Sequence, residues 1–436
     1  MSNIITGVTS GTHDAAITKI RDGEILIATH AERHSRIKND GNLYPGFELE
    51  GTTVFYERPF IKNTRRIYAG QSWQKVPAYD KYVPHHWSHA SAAYYTRPFT
   101  EEPVCVVIDA IGEWDTATIW YNKKKVWSMR YPESLGLFYS AVTARCGLKP
   151  MEDEYIVMGM AAYGNDKYTL DPYKDYHRGM TGQYCDYDLA TSAQKTLETE
   201  VLKIMTKART YSEYLCYGGG VALNCVANSL IRPLFKDMWI MPNPGDAGSS
   251  LGAAAAYYGK QLNWTDPYLG TNIERDVDVK EVVKHLLDYL YCGIANGKAE
   301  FGPRALGNRS LIADPRKNIK DTINDIKKRQ RFRPFAPCIL EEYADEYFEG
   351  PMNEYMQYVS KAKHDHDAVT HVDGTARVQV VKKDCKSIIR PILEEWYEQT
   401  KCPMLLNTSL NIKGQPIVDT LTHADEFERK YKCRIF

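Results

Sequence analysis

Residues 4–29 read IITGVTSGTHDAAITKIRDGEILIAT. Ile4-Ile5-Thr6-Gly7-Val8 is a short apolar run that predicts a strand, and Ser10-Gly11-Thr12-His13-Asp14 is a polar glycine turn. Ala15-Ala16-Ile17-Thr18-Lys19-Ile20 predicts a second strand, Arg21-Asp22-Gly23 a tight turn, and Glu24-Ile25-Leu26-Ile27-Ala28-Thr29 a third strand. A similar unit recurs at 104–130. Val104-Cys105-Val106-Val107-Ile108 leads into the loop Asp109-Ala110-Ile111-Gly112-Glu113, then an apolar run at 116–121, a Lys-rich turn, and Val126-Trp127-Ser128-Met129-Arg130. Two copies predict two related halves, each presenting a loop to one cleft.

Strand, polar glycine loop, strand, Asp-Gly turn, strand is how actin/hexokinase-like (ribonuclease H-like) nucleotide-binding folds begin, so the expectation is a duplicated α/β domain. Downstream, 134–146 predicts a helix with Ser134 as N-cap and Gly147 as its stop. Residues 165–195 are polar and Tyr-rich and read as a loop. The Ala- and Gly-rich stretch 249–258 predicts a tightly packed helix. Residues 260–275 lack periodicity and mark the expected boundary between domains 1–265 and 266–436. Val282, Val283, Leu286, Leu287 and Leu290 then form a helical stripe that restarts a folded unit.

The 436 residues are 43% hydrophobic and 25% charged, the composition of an ordinary globular protein. Lys+Arg and Asp+Glu both number 55, which argues against a broad duplex-DNA footprint while leaving room for a local basic groove. Met1 to Val8 lacks the apolar core of a signal peptide, and no stretch has the length of a membrane span. The ten cysteines include no C-x-x-C pair, which predicts buried free thiols in a reducing cytoplasm.

His85-His86-Trp87-Ser88-His89-Ala90 carries the most chemistry. Four residues apart on a helix, His85 and His89 share one face. With Asp109 and with Asp246 of Pro244-Gly245-Asp246-Ala247-Gly248 they make a plausible mononuclear site for a divalent metal. A zincin protease is excluded, because Trp87 and Ser88 fill the motif interior and no Glu follows His85. His13 reads as an acid/base or phosphate contact, or else as an exposed neighbour of a turn-capping Asp14. The glycine-rich turn 218–224 brings backbone close to a nucleotide, with Asn224 on a ribose or phosphate, or is a tight turn with no ligand. No Gly-Lys-Ser/Thr follows, so it is not a Walker A loop.

The second half holds its guanidiniums in place. Arg304 and Arg309 stand between glycines in Phe301-Gly302-Pro303-Arg304-Ala305-Leu306-Gly307-Asn308-Arg309-Ser310. Lys327, Lys328, Arg329, Arg331 and Arg333 run into Pro334-Phe335-Ala336-Pro337. Fixed guanidiniums favour phosphate or carboxylate. Arg377 lies in a strand pattern, and Leu405-Leu406-Asn407-Thr408-Ser409-Leu410-Asn411 ends a strand in hydroxyls and amides.

These motifs occur together and in order, and the chain resembles the O-carbamoyltransferases of the nodulation-factor, cephem and aminoglycoside type over residues 3 to about 420. The resemblance implies an actin-like carbamoyl-transfer domain followed by a YrdC-like α/β domain that makes carbamoyl adenylate from carbamoyl phosphate and ATP. It assigns a divalent metal (Fe, Mn, Zn or Mg) to His85, His89, Asp109 and Asp246. It places His13 with Asp14 by the acceptor, and Gly219, Gly220 and Asn224 around the adenosine. Arg304, Lys327, Arg329, Arg377 and Ser409 would bind carbamoyl phosphate and the ATP phosphates. Ile156 replaces the usual Lys, Pro84 an Asn, Gln330 and Gln415 each a Glu, and 165–195 is short for the family. The acceptor is a hydroxyl, sugar-like or the hydroxymethyl group of a modified pyrimidine in a nucleotide or in viral DNA, with Trp73, Tyr79, Tyr82 and Trp87 as stacking partners. The competing readings are an actin-like kinase or ATPase, a threonylcarbamoyl-tRNA-type transferase, and a nucleic-acid-binding protein using 327–333.

Overall fold

The computed structural model describes residues 4–11, 13–364 and 366–436. Thr12 of the first turn and Met1 to Asn3 of the expected opening strand lie outside the described residues. The chain divides into two compact units, Met1–Ala31 with Asn39–Thr265, and Glu32–Lys38 with Asp266–Phe436.

The first unit is built from one module used twice. The first copy runs β1 (Ile4–Thr9), β2 (Ala16–Arg21), β3 (Glu24–His30), α1 (Ala31–Ser35, whose residues from Glu32 belong with the second unit), β4 (Thr52–Phe55), α2 (Pro59–Tyr68), β5 (Lys81–Tyr82) and α3 (His85–Tyr94). The second runs β6 (Val104–Gly112), β7 (Asp115–Tyr121), β8 (Lys124–Arg130), α4 (Leu135–Arg145), α5 (Glu154–Met160), α6 (Asp186–Arg209), β9 (Tyr214–Gly218), α7 (Cys225–Ile231), β10 (Asp237–Ile240) and α8 (Ser249–Tyr258). The sheets have equivalent orders, β3-β2-β1-β4-β5 and β8-β7-β6-β9-β10. In each, three antiparallel strands are followed by two that lie parallel to the first. This is the duplicated actin/hexokinase-like arrangement that the repeated strand pattern predicts.

The duplication reaches the backbone angles. Both hairpins turn through two left-handed residues, Asp22 and Gly23 (φ 50° and 92°) and Asn122 and Lys123 (φ 50° and 60°), a geometry that matches the twist of the flanking strands. In both copies an acidic residue with positive φ stands two positions before the second strand, Asp14 (61°) and Glu113 (58°).

Helix α8 lies on β1 and β2, α3 on β6 and β9, and the two helices pack against each other. Their approach is close enough to require glycine. A Cβ on Gly252 would sit 1.8 Å from the Ser88 carbonyl oxygen, and one on Gly7 would sit 1.9 Å from that of Ser250.

Three expectations are corrected. The polar stretch 165–195 does not stay a loop, because α6 begins at Asp186 and buries Leu189, Ala193, Leu197, Val201, Ile204 and Ala208 at helical spacing. Asp109 lies within β6 rather than in the loop after it, at an irregularity in the pairing with β7 between Ile108 and Gly112. Residues 260–275 contain a strand of the second unit.

That unit runs β11 (Tyr268–Ile273), α9 (Val279–Tyr289), β12 (Tyr291–Ala295), β13 (Gly297–Glu300), β14 (Arg309–Ala313), α10 (Lys320–Lys327), β15 (Ala336–Leu340), α11 (Ala344–Tyr347), β16 (Phe348–Glu349), β17 (Ser360–Ala362), β18 (Thr375–Ala376), β19 (Gln379–Val381), α12 (Ile389–Thr400), β20 (Met404–Ser409) and α13 (Leu421–Tyr431). It is α/β, with a central sheet β12-β14-β20-β15-β19. Trp396 and Leu393 of α12 and Val282, Val283 and Leu286 of α9 share one apolar cluster with residues of that sheet. Arg377 falls in the short break between β18 and β19, not inside a strand.

Gly252→Val should cost about 1–3 kcal/mol by forcing α8 away from α3. The check is the urea midpoint, which is expected to fall at unchanged m-value.

Candidate functional site

Four buried side chains of the first unit meet at the centre of the duplication. His85 and His89 come from one face of α3, Asp109 from β6, and Asp246 from the turn that precedes α8. One donor atom from each lies within 4.8 Å of all the others. His85 Nε2 and His89 Nε2 are 3.1 Å apart. Asp109 Oδ2 is 3.2 Å from the first and 3.4 Å from the second; Asp246 Oδ1 is 3.5 Å and 3.2 Å away.

These separations fit a shared cation. With bonds of about 2.1 Å, neighbouring ligands stand about 3.0 Å apart in an octahedron and about 3.4 Å in a tetrahedron. His89 Nδ1 donates to the Pro244 carbonyl at 3.0 Å, so in the neutral ring the Nε2 lone pair faces inward. Two such lone pairs at 3.1 Å repel unless a proton or a metal lies between them. Two imidazoles suit Fe, Mn or Zn and weigh against Mg, which takes oxygen ligands.

Protons are the alternative occupants. Burial pushes both imidazoles down, yet the Asp246 charge and the hydrogen bond to Asp109 carry His85 well above its usual range. Bonds to Asp109 and Asp246 likewise raise His89. Burial alone would raise the two carboxyls; the facing imidazoles hold both below the usual carboxylate range.

The glycine turn has a function that sequence reading did not anticipate. Gly220 N–H donates to Asp109 Oδ1 at 3.2 Å, which turns Oδ2 toward the imidazoles. A Cβ on Gly219, whose φ is +90°, would meet the Ile108 carbonyl oxygen at 2.3 Å. The pair lets the chain reach the back of Asp109. Asn224 caps α7 by accepting from Ala227 N–H at 3.0 Å and exchanges two hydrogen bonds with Gln194. Its amide oxygen is thereby turned to the protein.

His13 Nδ1 lies 3.1 Å from Asp14 Oδ2. Burial would depress this imidazole, but the Asp14 bond and the charges of Asp246, Asp14 and Asp109 raise it to about 10. With the Asp246 and Asp109 charges uncompensated, His13 is held as a cation paired with Asp14.

Two carboxylates escaped sequence reading. Glu57 Oε2 is 3.7 Å from His85 Nδ1, and its Oε1 pairs at 2.5 Å with Lys62, which is wholly buried. Glu113 accepts from Arg58 N–H at 2.8 Å and from the Arg58 guanidinium, joining the start of α2 to β6. The only sequence signal for Glu57 is an acid just past the C-terminal end of a parallel strand. His86 stays outside the cluster; its Nδ1 lies 3.0 Å from Thr118 Oγ1, and burial with the neighbouring His85 keeps it neutral.

In the second unit Lys327 and Ser409 come together. The Lys327 ammonium donates to the Ser409 carbonyl, to Ser409 Oγ at 3.3 Å, to Asn411 O at 2.9 Å and to Asn411 Oδ1 at 3.1 Å. None of these oxygens carries charge. Burial, Arg329 and Arg333 depress the Lys327 amine well below its usual range. An anion beside it would relieve that repulsion. Arg329 is held by Asn324 Oδ1 at 2.6 Å and Pro334 O at 3.0 Å, over the Phe335 ring. Arg377 Nε is buried without a hydrogen-bond partner. Arg304 rides on a loop that Glu300 organises by accepting from Leu306, Asn308 and Arg309 N–H. Arg309 is structural: its guanidinium donates to the carbonyls of Thr271, Asn296, Gly297, Asn308 and Asp419.

Known proteins match along nearly the whole chain. The family description "Carbamoyltransferase N-terminus" matches residues 52–181 and 174–255, and "Carbamoyltransferase C-terminus" matches 283–435. An uncharacterised protein of Synechocystis sp. is 30% identical over 98% of this chain and 94% of its own length. Nodulation protein NolNO of Sinorhizobium fredii is 31% identical over 94% of this chain and 76% of its own. The Synechocystis alignment spans 583 positions against 436 residues here, so that relative carries more than a hundred residues with no counterpart in this chain. Among solved structures, full-length HypF in its phosphate- and nucleotide-bound form overlaps loosely, with a TM-score of 0.37 and 14% identity over 59% of this chain and 55% of its own.

The imidazole shifts give a signed pH prediction. A folded-state pKa raised above 6.5 contributes stability that is complete below pH 6.5 and is lost as pH rises through the higher folded value. Chelator-treated protein should therefore melt at lower temperature as pH rises from 6.5. Protein supplied with Zn2+, Mn2+ or Fe2+ should show a growing stabilisation over the same range, because a metal displaces those protons. His89→Ala should weaken the first trend, leaving the His85 contribution, and remove the metal stabilisation in a thermal melt series.

Proposed function

The chain belongs to the carbamoyltransferase family, and on that premise we propose that it is an ATP-dependent O-carbamoyltransferase working through carbamoyl adenylate. One observation carries the reading: two imidazoles and two carboxylates from three separated segments converge in a fold duplicated about that point.

In the second unit Arg304, Lys327, Arg329, Arg377 and Ser409 take the phosphates of carbamoyl phosphate and ATP. Their charge offsets that of the phosphates as water splits carbamoyl phosphate into carbamate and phosphate and the carbamate oxygen then attacks the ATP α-phosphate, giving carbamoyl adenylate and pyrophosphate. The first unit then passes the carbamoyl group to a hydroxyl. The acceptor hydroxyl gives its proton to His13 as its oxygen bonds to the carbamoyl carbon; the bond to the adenylate oxygen breaks, and AMP departs with that electron pair. A divalent cation held by His85, His89, Asp109 and Asp246 would polarise the carbamoyl carbonyl and neutralise the adenylate phosphate. That cation would offset the Asp246 and Asp109 charges that raise His13, and His13, oriented by Asp14, then accepts the acceptor's proton or stabilises the developing charge. Gly219 and Gly220 let the backbone approach the adenosine while holding Asp109. The acceptor hydroxyl belongs to a sugar-like molecule or to a hydroxymethylated pyrimidine in a nucleotide or in DNA. All ten cysteines are unpaired, which supports work in a reducing cytoplasm, and among the described residues no helix is long and apolar enough to cross a membrane.

The two half-reactions should separate by mutation. His85→Ala and Asp246→Ala should still exchange labelled pyrophosphate into ATP in the presence of carbamoyl phosphate, yet transfer carbamoyl at under about 1% of the wild-type rate. Arg377→Ala should fail in the exchange itself. Equal loss of both half-reactions in the first two variants would sink the division of labour, and release of ADP in place of AMP would identify a kinase.

A further inference from the structure

Helix α2 is inside out. It buries Pro59, Lys62 and Asn63 and turns Phe60 (70% exposed), Ile67 (56%) and Tyr68 (71%) to the surface. The loop after it adds Trp73 (56% exposed), and β5 with the residues before it adds Tyr79 and Tyr82. Large rings gathered on one exposed face mark a binding surface.

The same segment is basic in a chain with no net charge. Between Arg58 and Tyr82 stand six Lys and Arg residues against a single acid, Asp80. Arg58 is neutralised by Glu113 and Lys62 by Glu57. Arg65, Arg66, Lys75 and Lys81 form no ion pair among the described residues. Arg65 donates to the Ile111 carbonyl at 2.9 Å and Arg66 to that of Ser72 at 3.1 Å, so both guanidiniums are held in place without being discharged. The rings are also braced: Phe60 against Trp73 with centroids 6.3 Å apart, Tyr68 against Trp114 at 5.5 Å, both edge to face. Flat faces interleaved with fixed, uncompensated cations are what unpaired bases on a phosphodiester backbone require.

The surface adjoins the first unit's chemistry. Lys62 donates to the Ser10 carbonyl at 2.9 Å, the Asn63 side chain donates to the Gln74 carbonyl and accepts from the Gln74 N–H, and the Gln74 side chain lies against Gly11. Thus the Trp73 loop packs on the turn that carries His13.

We infer that α2 and the segment through Tyr82 form a stacking platform for a single strand of nucleic acid, which delivers the acceptor hydroxyl on one of its bases. This rests on the carbamoyl-transfer reading of the adjoining site. The platform itself needs no carbamoyl chemistry, so the two can fail separately.

The test is fluorescence anisotropy with labelled oligodeoxythymidine and oligouridine of about 16 nucleotides and a duplex of equal length. Wild-type protein should bind a single strand more tightly than the duplex, with affinity falling steeply as salt rises. Phe60→Ala and Trp73→Ala should each weaken it about tenfold. Arg66→Ala with Lys75→Ala should flatten the salt slope. Tyr289→Ala, an equally exposed ring of the second unit, should bind as wild type. Preference between the two oligonucleotides assigns DNA or RNA. Equal binding of strand and duplex, indifference to Phe60→Ala and Trp73→Ala, or a dimer that Trp73→Ala dissociates without any strand binding would each overturn the platform. Strand binding by protein that makes no AMP from carbamoyl phosphate and ATP would keep the platform and remove the carbamoyl-adenylate reading.

Discussion

The backbone of α8 rests directly on that of α3, and the rest of the first unit is arranged around this contact. Gly252 meets Ser88 where no side chain fits, while Gly7 admits Ser250 to the first sheet. The contact fixes a distance that chemistry needs. α3 carries both imidazoles near its start, and the Asp246 turn runs directly into α8. Each helix belongs to a different copy of the module, so the site exists only because the copies are pressed together. A lengthened contact would part Asp246 from His85 and His89 before it disturbed either sheet.

Charge imposes the second constraint. Four ionisable groups with their donor atoms within 4.8 Å of one another cannot all take their solution states. Without a metal, the carboxylates hold protons on the imidazoles, and their field reaches His13. The second unit has the opposite imbalance, a buried lysine among neutral oxygens with arginines behind it. One unit is short of positive charge and the other of negative. That is the complementarity expected if one is to hold a cation and the other phosphate groups.

Local patterns were legible in the sequence. His85 and His89 were found because helical spacing alone puts them on one face, and the duplicated sheet because two apolar runs broken by polar turns repeat. Asp109 and Asp246 were legible as carboxylates at the end of an apolar run and in a glycine turn, and the family resemblance joined them to the histidines. Glu57, Glu113 and Glu300 were missed. Each acts through partners set by tertiary packing, as when Glu300 gathers amides from across a loop. The start of helix α6, up to residue 195, is hidden in the sequence because its first turn, Asp186-Tyr187-Asp188, reads as a continuation of the polar segment before it. Arg309 shows the converse error: a polar residue in a ligand-like motif that the protein uses on its own backbone.

The inverted burial of α2 follows from the same electrostatics. His85 presents Nε2 to the cluster, which leaves Nδ1 facing Glu57 at 3.7 Å. Glu57 is itself buried, and a buried carboxylate beside an imidazole that a metal would keep neutral needs a counter-charge. Lys62 supplies it from the underside of α2. A helix with a charged residue anchored inward at that position must turn the opposite stripe outward, and here that stripe is Phe60, Ile67 and Tyr68. The exposed rings are therefore the far side of a chain that runs from the imidazole through a carboxylate and an ammonium to the surface. The requirement for a well-oriented His85 and the exposure of an aromatic face next to His13 are two ends of one arrangement.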